Sequence, residues 1–199
     1  MSINEKMVTI AENEQKVFNA GKKAEYDRFW DICQDYGNRR HYTGAFGYQT
    51  WTDETFQPKY PIINDFEATQ MFGYATLITK INVPIVQNAA NGTYMFRNCS
   101  NLVTILSLDI SNVTNTSNAF VQCRNLVDIN FVGTINADIS FQWSTNLSHD
   151  SLMSIINALG DFSGDTSGTT HTLTIGSGNV AKLTADELLI AENKGWDVV

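Results

Sequence analysis

The pattern nearest to a cofactor site in this sequence is a glycine-rich turn, Gly176-Ser-Gly178-Asn-Val-Ala181. It follows a predicted strand and precedes a predicted helix, with Asp197 about 20 residues further on, as in a loose dinucleotide-binding fingerprint. The capping pattern places the helix start at Thr184, beyond the glycines, so the helix N-terminus would not meet a pyrophosphate there. We therefore read the glycines as a turn that leaves a strand and expect no cofactor. A nucleotide- or dinucleotide-binding enzyme that uses this turn is the alternative function.

The run Ser148-His149-Asp150 contains the residue types of a hydrolase triad. The members of a triad converge from separate segments, so three neighbours in sequence cannot form one. The run is instead typical of a helix start, with Ser148 as N-cap and Asp150 in the first turn. We expect no catalytic residue in this chain.

The cysteines and the acidic residues of this sequence do not predict a metal site. Cys99 and Cys123 occupy the same position of a repeat, which favours two buried thiols over a zinc site. With Cys33 they make three cysteines, too few for a disulfide scaffold. The segment Asp161-Phe-Ser-Gly-Asp165 lacks the acidic alternation of a calcium loop and predicts a turn. No metal site is expected.

A 24-residue period begins near residue 71. Met71-Phe72 recurs as Met95-Phe96, and as Ala119-Phe120 after another 24 residues. The same offset relates Ile81, Ile105 and Ile129. Repeated units cannot bury an apolar face alone, so they must stack on their neighbours. The period predicts one buried column of Phe72, Phe96 and Phe120 and another of the three isoleucines, with connections tighter than α-helices. The strand register within 103–110 stays open.

A second form of repeat follows, because Leu147-Ser-His-Asp-Ser-Leu152 returns as Leu183-Thr-Ala-Asp-Glu-Leu188. Ser148 and the capping-box pair Thr184 and Glu187 predict helices over 149–159 and 185–193. Short alternating strands are predicted at 139–141, 173–175 and 196–199. Asn146 and Asn179 lie in turns that leave strands, where we expect their side chains to bond the backbone of the adjacent repeat.

The first 66 residues differ from the rest. Residues 12–36 show helical periodicity, with Phe29, Trp30 and Cys33 on the apolar face, and predict a helix that ends at Gly37-Asn38. This helix either packs on its own domain or forms a coiled coil. Residues 41–66 are rich in aromatic residues, including Trp51. Pro58 and Pro61 make regular structure improbable there, so we predict an ordered connector.

Strand, turn and helix at such steps are the unit of a leucine-rich-repeat-type solenoid, an α/β fold of parallel strands with helical and irregular connections. We predict this solenoid over residues 67–199. Residues 1–66 are predicted to be an N-terminal helix and aromatic segment that cap its first repeat.

The stretch from Leu106 to Leu126, Leu-Ser-Leu-Asp-Ile-Ser-Asn-Val-Thr-Asn-Thr-Ser-Asn-Ala-Phe-Val-Gln-Cys-Arg-Asn-Leu, resembles the BspA-type leucine-rich repeats of bacterial surface proteins. The whole chain resembles the BspA-like proteins that phages and prophages of gut Firmicutes encode. Residues 10–31 and 147–159 carry that likeness. The resemblance implies an accessory virion or surface interaction protein, and it transfers no functional residue.

The predicted binding surface is the exposed face of the strands. With Ile129, Phe131, Ile139, Phe141, Leu173 and Ile175 inward, the alternation sends seven polar residues outward. They are Asp128, Asn130, Asp138, Ser140, Gln142, Thr172 and Thr174. Small polar side chains over parallel strands suit a protein or a glycan. The sequence therefore predicts a non-enzymatic interaction module.

The distribution of charged residues limits the classes of partner that we expect. Residues 1–60 carry eight Lys/Arg against nine Asp/Glu, and the remainder carries five against twelve. Such a surface repels phosphate backbones, so nucleic acid is not an expected partner. No apolar run is long enough to span a bilayer, and from the charged residues at the start we expect no signal peptide. We expect a monomer in the host cytoplasm or virion. A secreted adhesin fragment at the cell surface is the alternative.

Overall fold

The computed structural model describes residues 39–40, 52, 56, 58, 61–64 and 70–199. They form an α/β structure with two parallel sheets. The strands are β1 Arg39–Arg40, β2 Ile62–Asn64, β3 Lys80–Gln87, β4 Thr104–Asp109, β5 Asp128–Phe131, β6 Ile139–Ser140, β7 His171–Thr174 and β8 Trp196–Val198. The helices are α1 His149–Ala158, α2 Ser177–Val180 and α3 Ala185–Asn193. One sheet has the order β1-β2-β3-β4-β5 and the other β6-β7-β8, and neither closes into a barrel within these residues.

The register of the five-stranded sheet follows the 24-residue period. Ile81 lies opposite Ile105, and Ile105 lies opposite Ile129, in three consecutive parallel strands. All three side chains are buried. The predicted isoleucine column is confirmed.

A β-bulge resolves the open register of strand β4. The pairing shifts between Ile105 and Leu108, where a bulge adds a residue and changes which face the next side chain takes. Leu106 is consequently 50% exposed, whereas Ile105 and Leu108 are both buried. The buried positions on the two sides of the bulge are therefore out of step, with Ile105 before it and Leu108 and Ile110 after it.

The predicted phenylalanine column is also confirmed. The rings of Phe72, Phe96 and Phe120 are buried and stack with centroids 5.3 Å apart at each step. Phe141 extends the stack at 4.5 Å from Phe120, and the edge of Phe56 contacts Phe72 at 5.6 Å. Backbone bonds support the column, since the amide of each Phe in the first two units donates to the next unit. These connections are turns without α-helix, as predicted.

Helix α1 takes the place of a sixth strand beside β5. The flank of a helix offers no free carbonyls or amides to a sheet edge, because its backbone groups are bonded within the helix. Serine hydroxyls meet the edge instead. The Ile129 amide donates to Ser151 Oγ at 2.9 Å, and the Phe131 amide donates to Ser154 Oγ at 2.8 Å. The sheet therefore ends at β5 with these two donors satisfied.

The helix starts agree with their capping patterns. Ser148 Oγ accepts from the Ser151 amide, and Thr184 and Glu187 form a reciprocal capping box. At the other end of α1, the Lys194 ammonium donates to the carbonyls of Ile156, Asn157 and Leu159 at 2.8–3.1 Å. A cation from the last unit thus satisfies carbonyls that the helix leaves free and complements its dipole.

The prediction that residues 41–66 lack regular structure is wrong at β2. Ile62 and Asn64 are buried there, and Asn64 Nδ2 donates to Gln87 Oε1 of β3 at 2.7 Å. Pro61 immediately precedes the strand, a position where its missing N–H removes no ladder bond. Strand β1 also lies beyond what the sequence predicted. The 12–36 helix and Phe29, Trp30, Cys33 and Trp51 lie outside the described residues, and the division at residue 66 stays a prediction.

Candidate functional site

A polar groove of about 580 Å³ lies over strands β6 and β7. Its lining comes from residues 114–118, residues 136–140, and Thr169, His171, Thr172 and Thr174. We call it the β6–β7 groove. Four of the seven predicted binding residues line it: Asp138, Ser140, Thr172 and Thr174.

Strand alternation produces this lining. Ile139, Phe141, Leu173 and Ile175 are buried, as predicted, so the residues between them face away from the core. Parallel pairing then sets Ser140 opposite Thr174. Residues about 34 apart in sequence become neighbours because two strands of one sheet hold them side by side.

Asp138 lines the groove and is anchored through one carboxylate oxygen. Its Oδ1 accepts a 3.0 Å hydrogen bond from the Thr172 amide and lies 3.5 Å from His171 Nδ1. Its own carbonyl accepts from the Thr116 hydroxyl. Its Oδ2 makes no hydrogen bond within the described part of the chain, and the side chain is 63% exposed. The carboxylate is therefore fixed through one oxygen and presents the other to a ligand.

An aromatic cluster supports one end of the groove. The His171 ring stacks on Phe162 with centroids 3.7 Å apart and lies 5.2 Å from Trp196. Trp196 Nε1 donates to the Gly160 carbonyl at 2.8 Å, which fixes the indole. Sequence reasoning missed His171, because no ligand-type residue lies near it in sequence. Only the pairing of β6 with β7 brings Asp138 to it.

The other three predicted residues lie elsewhere, so the expected single face is divided between two sheets. Asp128 and Asn130 are exposed on β5, in the five-stranded sheet. Asn130 Oδ1 accepts a hydrogen bond from Ser154 Oγ at 3.1 Å. The Asn130 residue lines a second cavity, of about 460 Å³, beside α1. Gln142 is exposed after β6 and lines neither cavity. The division arises because the chain between β5 and β6 passes to the other sheet.

The groove carries negative charge. Its lining contains Asp138 and no Lys or Arg. Asp197, exposed on β8, pairs beside Thr172 and adds a second carboxylate to this sheet. In the neighbouring loop, the Ser167 amide donates to Asp165 and lowers the pKa of that carboxyl, which keeps it ionised. Carboxylates without a neighbouring Lys or Arg repel anions and attract cations.

The glycine turn differs in one respect from its prediction. Gly176 has a φ of +76°, as a turn requires, but the one-turn helix α2 begins at Ser177 directly after it. Asn179 of α2 is fully buried, and its Nδ2 donates to the Ser144 and Ile175 carbonyls at 2.8 and 3.0 Å. The bond to Ser144 is the predicted asparagine bond to the adjacent repeat. Helix α2 itself is too short to form an anion site.

The other asparagine prediction is confirmed as well. Asn146 Nδ2 donates to the Arg124 carbonyl at 3.0 Å, about one repeat back along the chain. Asn101, which was not predicted, makes the same kind of bond to the Thr76 carbonyl. These side chains stabilise the packing of consecutive repeats.

The two described cysteines are reduced and buried. Cys99 Sγ donates to the Phe72 carbonyl, and Cys123 Sγ donates to the Phe96 carbonyl, each at 3.1 Å. Burial raises the pKa of Cys123 to about 12 and that of Cys99 well above its ordinary value. Both are therefore neutral thiols at physiological pH and poor metal ligands. No cluster of three or more metal-ligating side chains occurs among the described residues.

The run at 148–150 forms the start of α1. Ser148 is its N-cap, and His149 Nε2 lies 2.9 Å from Glu187 Oε1 of α3. The Ser148 hydroxyl bonds Ser151 in the first turn of the helix, as an N-cap does. In the part of the chain that the structure describes, no helix has the length and apolar character needed to cross a membrane.

Comparison with known proteins found no protein-family model, no curated protein and no solved structure that matches the chain.

Proposed function

We propose that this chain is a leucine-rich-repeat-type solenoid that binds a partner through the β6–β7 groove and catalyses no reaction. The proposal rests on the groove itself, a concave polar surface that gathers Asp138, Ser140, Thr172 and Thr174 from two parallel strands. Concave surfaces that recruit a few polar groups are the usual form of a binding site.

The 24-residue register of the isoleucines and the continuous stack of phenylalanines support the solenoid. Both place equivalent residues of consecutive units in direct contact. Stacking of this kind is how repeat proteins build a core from units that cannot fold alone.

The resemblance to BspA-like repeat proteins of phages and prophages supports a role on a virion or a cell surface. Under this proposal the partner is a molecule exposed on a Gram-positive gut bacterium. A position among tail or baseplate genes would favour the virion, and a longer reading frame with a signal sequence would favour a secreted adhesin.

A binding assay with intact cells tests the proposal. The fluorescently labelled chain should bind cells of gut Firmicutes, and Thr174→Arg should abolish binding by filling the groove with a long side chain. Thr145→Arg is the matched control, since Thr145 is exposed and lies outside the groove. Equal binding by both variants would contradict the proposal.

A nucleotide-binding enzyme that uses Gly176–Ala181 is the competing function. A thermal-shift assay with NAD, FAD and ATP distinguishes the two, because a ligand that binds only the native state raises the melting temperature. We expect no rise. A clear rise that Gly176→Ala removes would favour the enzyme.

A further inference from the structure

We propose that the β6–β7 groove takes a neutral oligosaccharide, with Asp138 accepting hydrogen bonds from the sugar hydroxyls. This inference rests on the proposed function and names the chemical class of the partner. Four observations carry it: the composition of the lining, its unused hydrogen-bonding groups, its charge and its size.

The lining is rich in hydroxyl and amide groups. Of its fourteen residues, five are Thr, two are Ser and three are Asn. Each hydroxyl both donates and accepts, and each amide does both with separate atoms. Sugar hydroxyls require that combination, and threonine methyl groups offer small apolar contacts to the C–H faces of a sugar ring. A peptide with large apolar anchors would find no apolar pocket here, because Ile139 is already buried in the core.

Several of these groups have no partner among the described residues. The side chains of Asn118, Thr172 and Thr174 make no hydrogen bond to another described residue, although all three line the groove. Asp138 Oδ2 is equally unused, while Oδ1 is fixed by the Thr172 amide. A carboxylate held in this way is preorganised, so little side-chain entropy is lost when a ligand binds.

Charge selects against acidic ligands. Asp138 lines the groove and Asp197 lies beside Thr172, and no Lys or Arg lines the groove to neutralise them. A phosphate, sulfate or sialic acid carboxylate would be repelled, whereas a neutral sugar would not. Hydrogen bonds to a charged acceptor are also stronger than neutral ones, so Asp138 should dominate the binding of uncharged hydroxyls.

The size agrees with a short saccharide. A volume of about 580 Å³ falls within the range of roughly 300–1,000 Å³ that is usual for small-molecule clefts. The groove crosses from residues 114–118 over β6 to β7, so it has the extended form that a chain of sugar rings needs.

A glycan array with the full chain tests the inference. The array carries neutral, sialylated, sulfated and phosphorylated oligosaccharides together with a lysine-rich peptide. We expect retention on neutral glycans only. Asp138→Ala should weaken that binding at least tenfold, and Asp150→Ala should leave it unchanged, because Asp150 lies outside the groove and is fully exposed.

Asp138→Ala also removes the acceptor of the Thr172 amide, so a second variant keeps the test independent of folding. Thr174→Val deletes one hydroxyl with little change of shape. It should weaken glycan binding several-fold while the circular dichroism melting curve stays unchanged. Retention on charged glycans or the lysine-rich peptide alone would overturn the inference. So would an empty array, or unaltered neutral-glycan binding in both variants.

The cell assay separates this inference from the proposed function. Periodate oxidation of the cells should remove binding of the chain, and protease treatment should not. If protease removes binding and periodate does not, the groove recognises a protein, and only the carbohydrate assignment fails. If the chain binds neutral glycans on the array but no cells, only the cell-surface role fails.

Discussion

At the scale of single residues, several polar groups of the core are satisfied by groups about one repeat away. The thiol of Cys99 bonds the Phe72 carbonyl, and the buried amides of Asn64 and Gln87 bond each other across β2 and β3. Buried polar groups without such partners cost about 1–3 kcal/mol each. In these two cases the neighbouring repeat supplies the acceptor that a buried donor needs.

Gly133 occupies a turn in which any larger residue would be strained and would collide with its neighbours. Its φ is +86°, and an added Cβ would overlap Ser111 Oγ and lie 2.8 Å from Asp109 Oδ1. Ser111 Oγ cannot move freely, because it accepts from the Thr134 amide and donates to Asp109. Gly133→Ala should lower the free energy of unfolding by about 2–4 kcal/mol, measured by urea denaturation.

The matched control for this substitution is Gly178→Ala. Gly178 has no positive φ and no atom within 4 Å of its would-be Cβ, and it lies within α2. This change should be neutral or should stabilise the protein by about 0.5–1 kcal/mol. Equal losses at both glycines would contradict our account of the turn at Gly133.

At the scale of elements, the junction between β5 and α1 decides how the five-stranded sheet ends. Ser151 and Ser154 satisfy two edge amides of β5, and Lys194 satisfies the last carbonyls of α1. Serine and lysine side chains thus join the helix to its neighbours, together with the backbone bond from the Ile135 amide to the Ala158 carbonyl at the helix end.

Ser151→Ala tests the side of this junction. It leaves the buried Ile129 amide without an acceptor, so the free energy of unfolding should fall by about 1–3 kcal/mol. Ser144→Ala is the matched control. Ser144 is fully buried, and its hydroxyl has no hydrogen-bond partner among the described residues, so this change should be neutral or stabilising. Urea denaturation of both variants measures the difference, and a larger loss at Ser144 would refute the assignment.

The capping box of α3 makes stability depend on pH. The Thr184 amide donates to Glu187 and, with the nearby His149, lowers the pKa of that carboxyl below its ordinary value. A lowered folded-state pKa contributes stability above the ordinary value and loses it as pH falls through the folded one. The free energy of unfolding should therefore decline in acid over that window.

Glu187→Gln should flatten this decline without breaking the box, because glutamine can accept the same bond. Glu192→Gln, on the exposed side of the same helix, is the control and should leave the slope unaltered. Urea denaturation over a pH series gives both slopes. Asp161 and Asp165, whose pKa values are lowered by hydrogen bonds from Ser163 and Ser167, should maintain part of the decline in every variant.

At the scale of the whole molecule, a single aromatic stack links units that are far apart in sequence. It runs from Phe56 through Phe72, Phe96 and Phe120 to Phe141, and it passes from the region of the five-stranded sheet to that of β6. Loss of one ring should therefore affect the units on both of its sides.

Phe96→Ala removes the ring at the middle of the stack, where the side chain has no exposed surface. The free energy of unfolding should fall by about 3–5 kcal/mol, the usual result of emptying a buried ring site. Leu106→Ala is the control. Because Leu106 is half exposed at the β4 bulge, its loss should be well under half of that. Urea denaturation that shows equal losses would contradict the stack as a core element.

Deletion of residues 1–66 tests the role of the N-terminal segment. It removes β2, which pairs with β3, and Phe56, which contacts Phe72. An unpaired strand edge beside exposed apolar rings favours association, so we expect aggregation or unfolding of the 67–199 fragment. Size-exclusion chromatography with light scattering provides the measurement. A stable monomeric fragment would show that the segment serves another purpose.

Light scattering of the intact chain addresses the predicted oligomeric state. A monomer is expected if residues 12–36 form a helix that packs on its own domain. A trimer would favour the coiled-coil alternative, because a coiled coil buries its apolar face against other copies.

Features that depend on a local or repeating pattern of residues were predictable from the sequence. Ser148, Thr184 and Glu187 set the helix starts through bonds that span three residues. The 24-residue period predicted which residues share a column, because equivalent positions of stacked repeats must meet. Strand alternation predicted the buried residues of β6 and β7, because successive side chains of a strand point to opposite faces.

The sequence by itself thus determined α1 and α3, the repeated columns and the direction of the strand side chains in β6 and β7. Tertiary structure alone decided the strand at 62–64, the bulge in β4 and the division of the seven polar residues between two sheets. It also decided that Asp138 meets His171 and Thr172 in one groove. The physical reason is that these features depend on hydrogen bonds between distant segments, and the local pattern of residues does not specify which segments pair.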